Sequence, residues 1–495
     1  MAINAVVLTT GKVLLFSYPR RDFAEVDYGA ATLWDPVLGT GPDAFTDVPP
    51  PIDPDTGRPA NIFCAGQTVL ADGRVLVAGG NLAYENATNR NYAGLTRAYL
   101  FDPVTETWSE QPQMRQGRWY PTLLRMADGR VAVASGLNER QDGGTNRDLE
   151  VFTPPAPGAS QGRFDLVGGP DALGSPGRPP TPALYPHMFW MRSGRGLVAG
   201  PSPRDTWFLG APGVDDSFVW EDAPDLSRRR SYGAAVPLPG GPQGPTQVLQ
   251  TGGYGDDNAS TATAERFDET DPAAGWTPAG PLVTARTNQN TKLLPDGSLV
   301  TIGGGVGAAL WTATDAQRAV ELWDPATDRW RTGPAQQEFR AYHSTAVLLP
   351  DGRVLSAGDD VNTSADPVTG EPRDGNLVDT AEIYSPPYLF RGPRPQITAV
   401  PERVTLGSTF KMRHRVPAGG RPVERAVLVA PSAVTHSVDM NQRHVELTVV
   451  RQAGRTLRLQ APPDANAAPP GPYMLFLLDA DGVPSVARFV EVQPA

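Results

Sequence analysis

A single cysteine, Cys64, stands in a chain of 495 residues, so no disulfide can close within it. Lysine is nearly missing too, with only Lys12, Lys292 and Lys411. The one strongly basic run is Ser-Arg-Arg-Arg-Ser-Tyr at 227–232, which reads as a solvated or ion-paired strand edge. With a formal net charge of −11, no nucleic-acid partner is expected, because phosphate binding needs clustered cations. No stretch approaches the ~18 apolar residues of a membrane span, so no transmembrane segment is expected. The opening residues lack the basic start and small-residue cleavage site of a signal peptide. Segments with helical periodicity are nearly absent. Disorder is excluded in turn, because 40% of the residues are hydrophobic.

What the chain has in abundance is punctuation. Glycine and proline number 52 each, set between short apolar runs, the signature of an all-β protein with many turns. The punctuation repeats. An apolar strand, a short turn usually written Asp-Gly and a second apolar strand ending in glycine recur seven times. They start near Ala5, Gln67, Pro121, Pro186, Gly233, Gln289 and His343. Asp-Gly between alternating apolar residues is a hairpin signal, because the turn needs positive φ. A further strand motif follows most copies, as in "YLFDPVTETW", "ELWDPATDRW" and "EIYSPPYLF". Two hairpins per unit, at a period of roughly fifty to sixty-five residues, match kelch-like propeller blades. Residues 1–391 are therefore expected to form a seven-bladed kelch-like β-propeller. Residues 392–495 carry strands without the blade motif and are expected to form an immunoglobulin-like β-sandwich.

Counting back eight residues from each turn aspartate, or its equivalent, reaches one phase of one strand in five blades. The residues found there are Cys64, Tyr120, Tyr185, Asn288 and His343. If that strand is the innermost, all five ring one mouth of the central channel; the first and fifth hairpins have irregular turns and are not placed. Tyr342 adds a second phenol beside His343. Paired carboxylates are lacking, which argues against a glycosidase, whereas the N and O donors suit a tetragonal Cu(II) site. Tyrosines at strand ends are also common as core residues whose hydroxyls reach water. By strand alternation Trp119 faces away from Tyr120 and packs between blades. His414 and His444 read as surface or edge residues, and His187 falls two residues past the ring position.

In sequence order the motifs "NIFCAGQ", "GRWYPT", "LYPH", "FRAYHSTAVLLPDGRV", "SAVTHSVDMNQR" and "PPGPYMLFLLDADGVPSVA" resemble those of the radical copper oxidases, the family of galactose oxidase and glyoxal oxidase. "RWYP" looks closer to the glyoxal oxidase branch. The resemblance implies one copper ion held by Tyr120, Tyr342, His343 and His436, with His436 reaching in from the sandwich. It also implies a thioether joining Cys64 to Tyr120 as a radical cofactor, and Tyr342 as general base. The implied reaction oxidises a primary alcohol, simple aldehyde or carbohydrate while O2 becomes H2O2, in a monomer located outside the cell or at its surface. Where galactose oxidase has a tryptophan stacked on the thioether, the register places Asn138; Gly305 falls where its sugar-binding glutamine would be. The competing reading is a non-catalytic propeller that binds a glycan or protein, with neither copper nor cross-link.

Overall fold

The computed structural model describes residues 2–17, 30–85, 88–89, 91–168, 183–200, 204–210, 218–255, 257, 259–306, 317–360 and 378–495. Seven antiparallel sheets follow one another along the chain. The first strands of the seven are Asn4–Val7, Gly66–Val69, Thr122–Arg125, Met188–Trp190, Ala234–Pro237, Asn290–Leu293 and Ser344–Leu348. These first strands pack on their counterparts in the neighbouring blades, so they are innermost and line the channel of a seven-bladed propeller. They are buried on both faces, which explains their continuous apolar runs in place of alternation. Each blade's outer faces fill the spaces to its neighbours; Leu124 and Val151 of the third blade, for example, share a core with Trp190 and Trp220 of the fourth.

The hairpin turns differ in detail from the expected type. In the second blade Leu70 N bonds Arg74 O and Gly73 N bonds Leu70 O, giving a three-residue loop. Only the glycine has positive φ (Gly73, 87°), not the aspartate. Asp72 instead accepts from Arg74 N at 3.0 Å, an Asx turn that fixes the bend.

After the seventh blade, eight strands from Gln396–Ala399 to Arg488–Gln493 form one curled sheet. The long strand His444–Ala453 pairs with Val423–Val429 through its first half and with Thr456–Gln460 through its second. That folds the sheet over a core containing Met412, Leu428, Leu447 and Tyr473, which is the sandwich expected from the sequence. Its other face packs on the propeller: Val427, Val429 and Phe476 share a cluster with Val300, Val347 and Leu355.

One excursion from this sheet reaches the propeller channel. The hairpin of Ala433–Thr435 and Val438–Asp439 leaves it and adds to the first blade on the channel side of Asn4–Val7, with Asn4 opposite Thr435. Ala433–Thr435 also packs on the first strands of the second and seventh blades. The hairpin therefore runs inside the channel.

Candidate active site

The expected ring exists, and the backbone marks it. Cys64, Tyr120, Tyr185, Asn288 and His343 all have positive φ, between 48° and 69°. Tyr232 of the fifth blade shares the conformation (56°); it was missed because its hairpin has no Asp-Gly from which to count. Left-handed conformations in non-glycine residues are uncommon and cost of order 1 kcal/mol or more each, so six at equivalent positions denote a shared constraint. Backbone bonds between blades supply part of it. Tyr120 N donates to Cys64 O (3.1 Å), Tyr185 N to Tyr120 O (2.8 Å) and Asn288 N to Tyr232 O (2.8 Å).

Buried arginines supply the rest. Arg118, Arg230, Arg286 and Arg340, just upstream of four ring residues, are among the most buried large side chains. They pair with Glu150, Glu265, Glu321 and Glu382 of the third strands at 2.9, 2.7, 2.6 and 3.6 Å. Each also donates through Nη1 to a carbonyl at the end of its own second strand or just beyond, as Arg286 does to Gly303 O at 3.0 Å. Part of the arginine bias thus has a structural purpose, because the planar fork can satisfy a carboxylate and a carbonyl at once.

At the mouth, His436 takes the place that the first blade leaves open, at the height of the ring because it follows Thr435. Tyr120 Oη lies 2.6 Å from Tyr342 Oη and 3.2 Å from His343 Nε2. The His436 ring meets those of Tyr120 and His343 edge-on, with centroids 4.4 Å away in both cases. Cys64 is fully buried in one apolar cluster with Tyr120, Trp119 and Tyr185. All five residues singled out for chemistry, Cys64, Tyr120, Tyr342, His343 and His436, line a single cavity of about 720 Å³. Its walls include Phe63, Tyr84, Tyr92 and Tyr232.

Electrostatics decide the resting charge of this cluster. Burial pushes the Tyr120 and Tyr342 phenols and the Cys64 thiol well above their usual ranges, and pushes the His436 imidazole well below its own. The two phenols are held neutral, an arrangement that only a nearby cation would ionise. Each histidine is set to present a lone pair. His343 Nδ1 lies 2.7 Å from both oxygens of Asp360, which leaves Nε2 toward Tyr120. His436 Nδ1 lies 2.7 Å from Thr435 Oγ1, while its buried Nε2 has no partner among the described residues. Imidazoles fixed from behind in this way are the usual form of metal-binding histidines. Among the described residues no three His, Cys, Asp or Glu side chains cluster to hold a metal; the donor set becomes four only through the tyrosines. Two phenol oxygens and two imidazole nitrogens converging in a buried pocket fit a copper ion.

Several expectations need correction. Trp119 does not face away: its ring stacks on Tyr120, with centroids 3.5 Å apart and planes 10° apart. The positive φ at Tyr120 breaks strand alternation, so consecutive side chains share a side. Tyr92 stacks on the far face of Trp119 at 4.5 Å, and Tyr185 stacks on Tyr120 at 4.4 Å. Asn138 is a buried turn residue bound to Asp142 and Arg140 N, and the aromatic stack comes from Trp119. His414 and His444 are buried (3% and 2% exposed), not on the surface, and His444 Nε2 faces Pro295 O at 3.1 Å. His187 lines the cavity, where burial and the charge of Lys292 hold its pKa down at about 3. Gly305 bridges Thr287 through its backbone. Asp360 was not anticipated; it opens the loop 359–375, most of which lies outside the described residues. Tyr84 and Tyr92 also reach the cavity, and residues 86, 87 and 90 between them lie outside the described residues.

The chain is similar to known proteins over nearly its whole length. Residues 394–492 match the family model of the galactose oxidase-like Early set domain. Over 99% of its length the chain is 28% identical to galactose oxidase of Gibberella zeae, covering 68% of that protein. It is 27% identical to an aldehyde oxidase (GLOX) of Vitis pseudoreticulata, over 87% of this chain and 82% of that one. The chain is a homologue of galactose oxidase and glyoxal oxidase. A fungal alcohol oxidase of the AA5 family, solved in complex with copper, shares the fold with a TM-score of 0.79 at 22% identity, covering 99% of this chain and 97% of that one. In this chain the hairpin that leads into His436 ties the C-terminal domain to the propeller site.

Proposed function

We propose that this protein is a copper-dependent oxidase that converts a primary alcohol to an aldehyde, or an aldehyde to an acid, while reducing O2 to H2O2. The observation that carries this reading is the convergence of Tyr120, Tyr342, His343 and His436 beside the buried thiol of Cys64, in a homologue of oxidases. Those four side chains would hold the copper, and Cys64 would join Tyr120 as a thioether. When bound, the metal supplies a Lewis-acid position for substrate oxygen and one of the two oxidising equivalents needed, the other residing on the Tyr120 ring.

The chain's own residues divide the remaining work. Tyr342, whose hydroxyl sits 2.6 Å from that of Tyr120, would be a phenolate beside the bound cation and would then accept the substrate hydroxyl proton as general base. Tyr120 then takes a hydrogen atom from the substrate carbon. Loss of two electrons and two protons turns R–CH2OH into R–CHO, or the hydrate R–CH(OH)2, formed from the aldehyde and water, into R–COOH; O2 takes up the same two electrons and two protons to leave as H2O2. Trp119 and Tyr185 stack on the buried Tyr120 ring, Tyr92 backs Trp119, and together they keep water from it. Asp360 holds the imidazole of His343 in one tautomer and orientation. An extracellular or cell-surface location and a monomeric state go with this reading.

The test is peptide mapping after the copper-loaded protein has met oxygen. A joined Cys64–Tyr120 peptide pair, two hydrogens lighter than its parts, is expected. Two separate peptides with Cys64 freely alkylated, despite bound copper, would remove the radical cofactor and leave a binding module.

A further inference from the structure

We propose that Arg229 anchors the substrate, and that the substrates of this oxidase are primary alcohols or aldehydes carrying a carboxylate at their far end. This rests on the oxidase reading above. The arginine triplet 228–230 meets three different fates. Arg230 is buried and paired with Glu265 at 2.7 Å. Arg228 faces Asp257 at the surface, 4.0 Å away. Arg229, half-buried, lines the same cavity as Tyr120 and Tyr342.

Its Nε donates to Ser231 Oγ at 2.7 Å, which holds the guanidinium without neutralising it. Among the described residues it has no carboxylate partner, although the chain has 54 acidic side chains to 43 basic ones. With acids in excess, an arginine left unpaired on a cavity wall is an unused anion site. Its charge is felt inside, where it draws the phenols of Tyr232 and Tyr254 back down against the rise that burial imposes.

The other lining groups narrow the choice. Among the described residues Arg229 is the only lysine or arginine on the cavity wall. Of the two acids there, Asp360 is engaged by His343 and Glu85 is exposed. The remaining wall is largely aromatic, with Tyr84, Tyr92 and Trp119, surfaces suited to methylene groups. A guanidinium fork receives a carboxylate through two parallel hydrogen bonds, which neutral hydroxyls do not reproduce. A cavity of about 720 Å³ lined by both Arg229 and the Tyr120–Tyr342 pair has room for a small bifunctional molecule. An ω-hydroxy acid plus O2 would then give the ω-oxo acid and H2O2.

The experiment uses ω-hydroxy acids of two to six carbons, each beside its neutral amide. Peroxide formation is followed with the copper-loaded protein, and binding to the copper-free full chain is followed by calorimetry. The acids are expected to bind about tenfold or more tighter than the amides. Arg229→Gln brings acid and amide together, and Arg229→Lys keeps part of the preference, as a point charge without the fork. Thermal melting establishes that both variants are folded. An acid-to-amide ratio near one in the wild type, or a ratio unchanged in Arg229→Gln, overturns the anchor. Arg229-dependent acid binding without peroxide from any alcohol or aldehyde refutes the oxidase reading and leaves the anchor standing. Peroxide from neutral alcohols or sugars with no acid preference does the reverse.

Discussion

Lys292 and Asp439 form an ion pair inside the channel, with Nζ and Oδ2 3.1 Å apart and side chains 1% and 0% exposed. Asp439 also accepts from Ala433 N (3.0 Å) and Asn441 N (3.1 Å) through Oδ1. The pair therefore ties the first strand of the sixth blade to the base of the hairpin that carries His436. Burial alone pulls the Lys292 pKa down, and the Asp439 charge opposes that shift, so neither group is comfortable without the other. Lys292→Met leaves a buried carboxylate with only two backbone donors. Removing one partner of such a pair costs about 3–5 kcal/mol. Replacing both, in Lys292→Met/Asp439→Asn, removes the stranded charge and is expected to cost less than Lys292→Met alone. Urea denaturation of the copper-free protein, followed by tryptophan fluorescence, measures the cycle, with a coupling energy above ~1 kcal/mol expected. Because His436 lies three residues from Asp439, Lys292→Met should also weaken copper binding by about tenfold or more, the scale of a lost supporting contact. A cost for Lys292→Met within ~0.5 kcal/mol, typical of surface substitutions, or strict additivity in the double variant, would refute the clamp.

Trp119→Leu removes the ring stacked 3.5 Å from Tyr120; the radical signal of the oxidised copper protein should decay faster, and an unchanged lifetime would contradict a role in shielding it. Asp360→Asn takes the carboxylate from His343 and should lower copper affinity about 10–100-fold, read by competition with a chelator. His187 gives the pH dependence. Its folded-state pKa of about 3 lies below the ~6.5 of the unfolded chain, so the unfolded state takes up the proton first. Its contribution is complete above pH 6.5 and is lost as pH falls toward 3, by about 2–3 kcal/mol between pH 6.5 and 4.5. His187→Asn should flatten the stability profile over that window by about this amount, and an unaltered slope would show that the imidazole is not held neutral.

Much of the fold was legible because its signals are local. Asp-Gly turns, period-two strands and their recurrence depend only on nearby residues, and they yield seven blades and the phase at which Cys64, Tyr120, Tyr185, Asn288 and His343 recur. Where the local signal failed, so did the reading: Tyr232 lacks a countable turn, and Trp119 was misplaced because alternation holds only while the backbone stays extended. The arginine–glutamate pairs did leave a trace, since Glu150, Glu265, Glu321 and Glu382 all sit in the third-strand motifs. An arginine upstream of a ring residue and a glutamate about 30 to 40 residues later are paired only when the blade's strands stand side by side.

The sequence by itself thus determined the blade count and the ring phase, because repetition turns local chemistry into a radial arrangement. Only the tertiary structure decided what surrounds the donors. His436 enters through a hairpin of another sheet, Lys292 meets Asp439 across 147 positions of chain, and Trp119 turns onto Tyr120. Arg229 is separated from its two neighbours by where each one points. Such contacts depend on how closing the propeller orients each strand end, and no pattern along the chain encodes that angle.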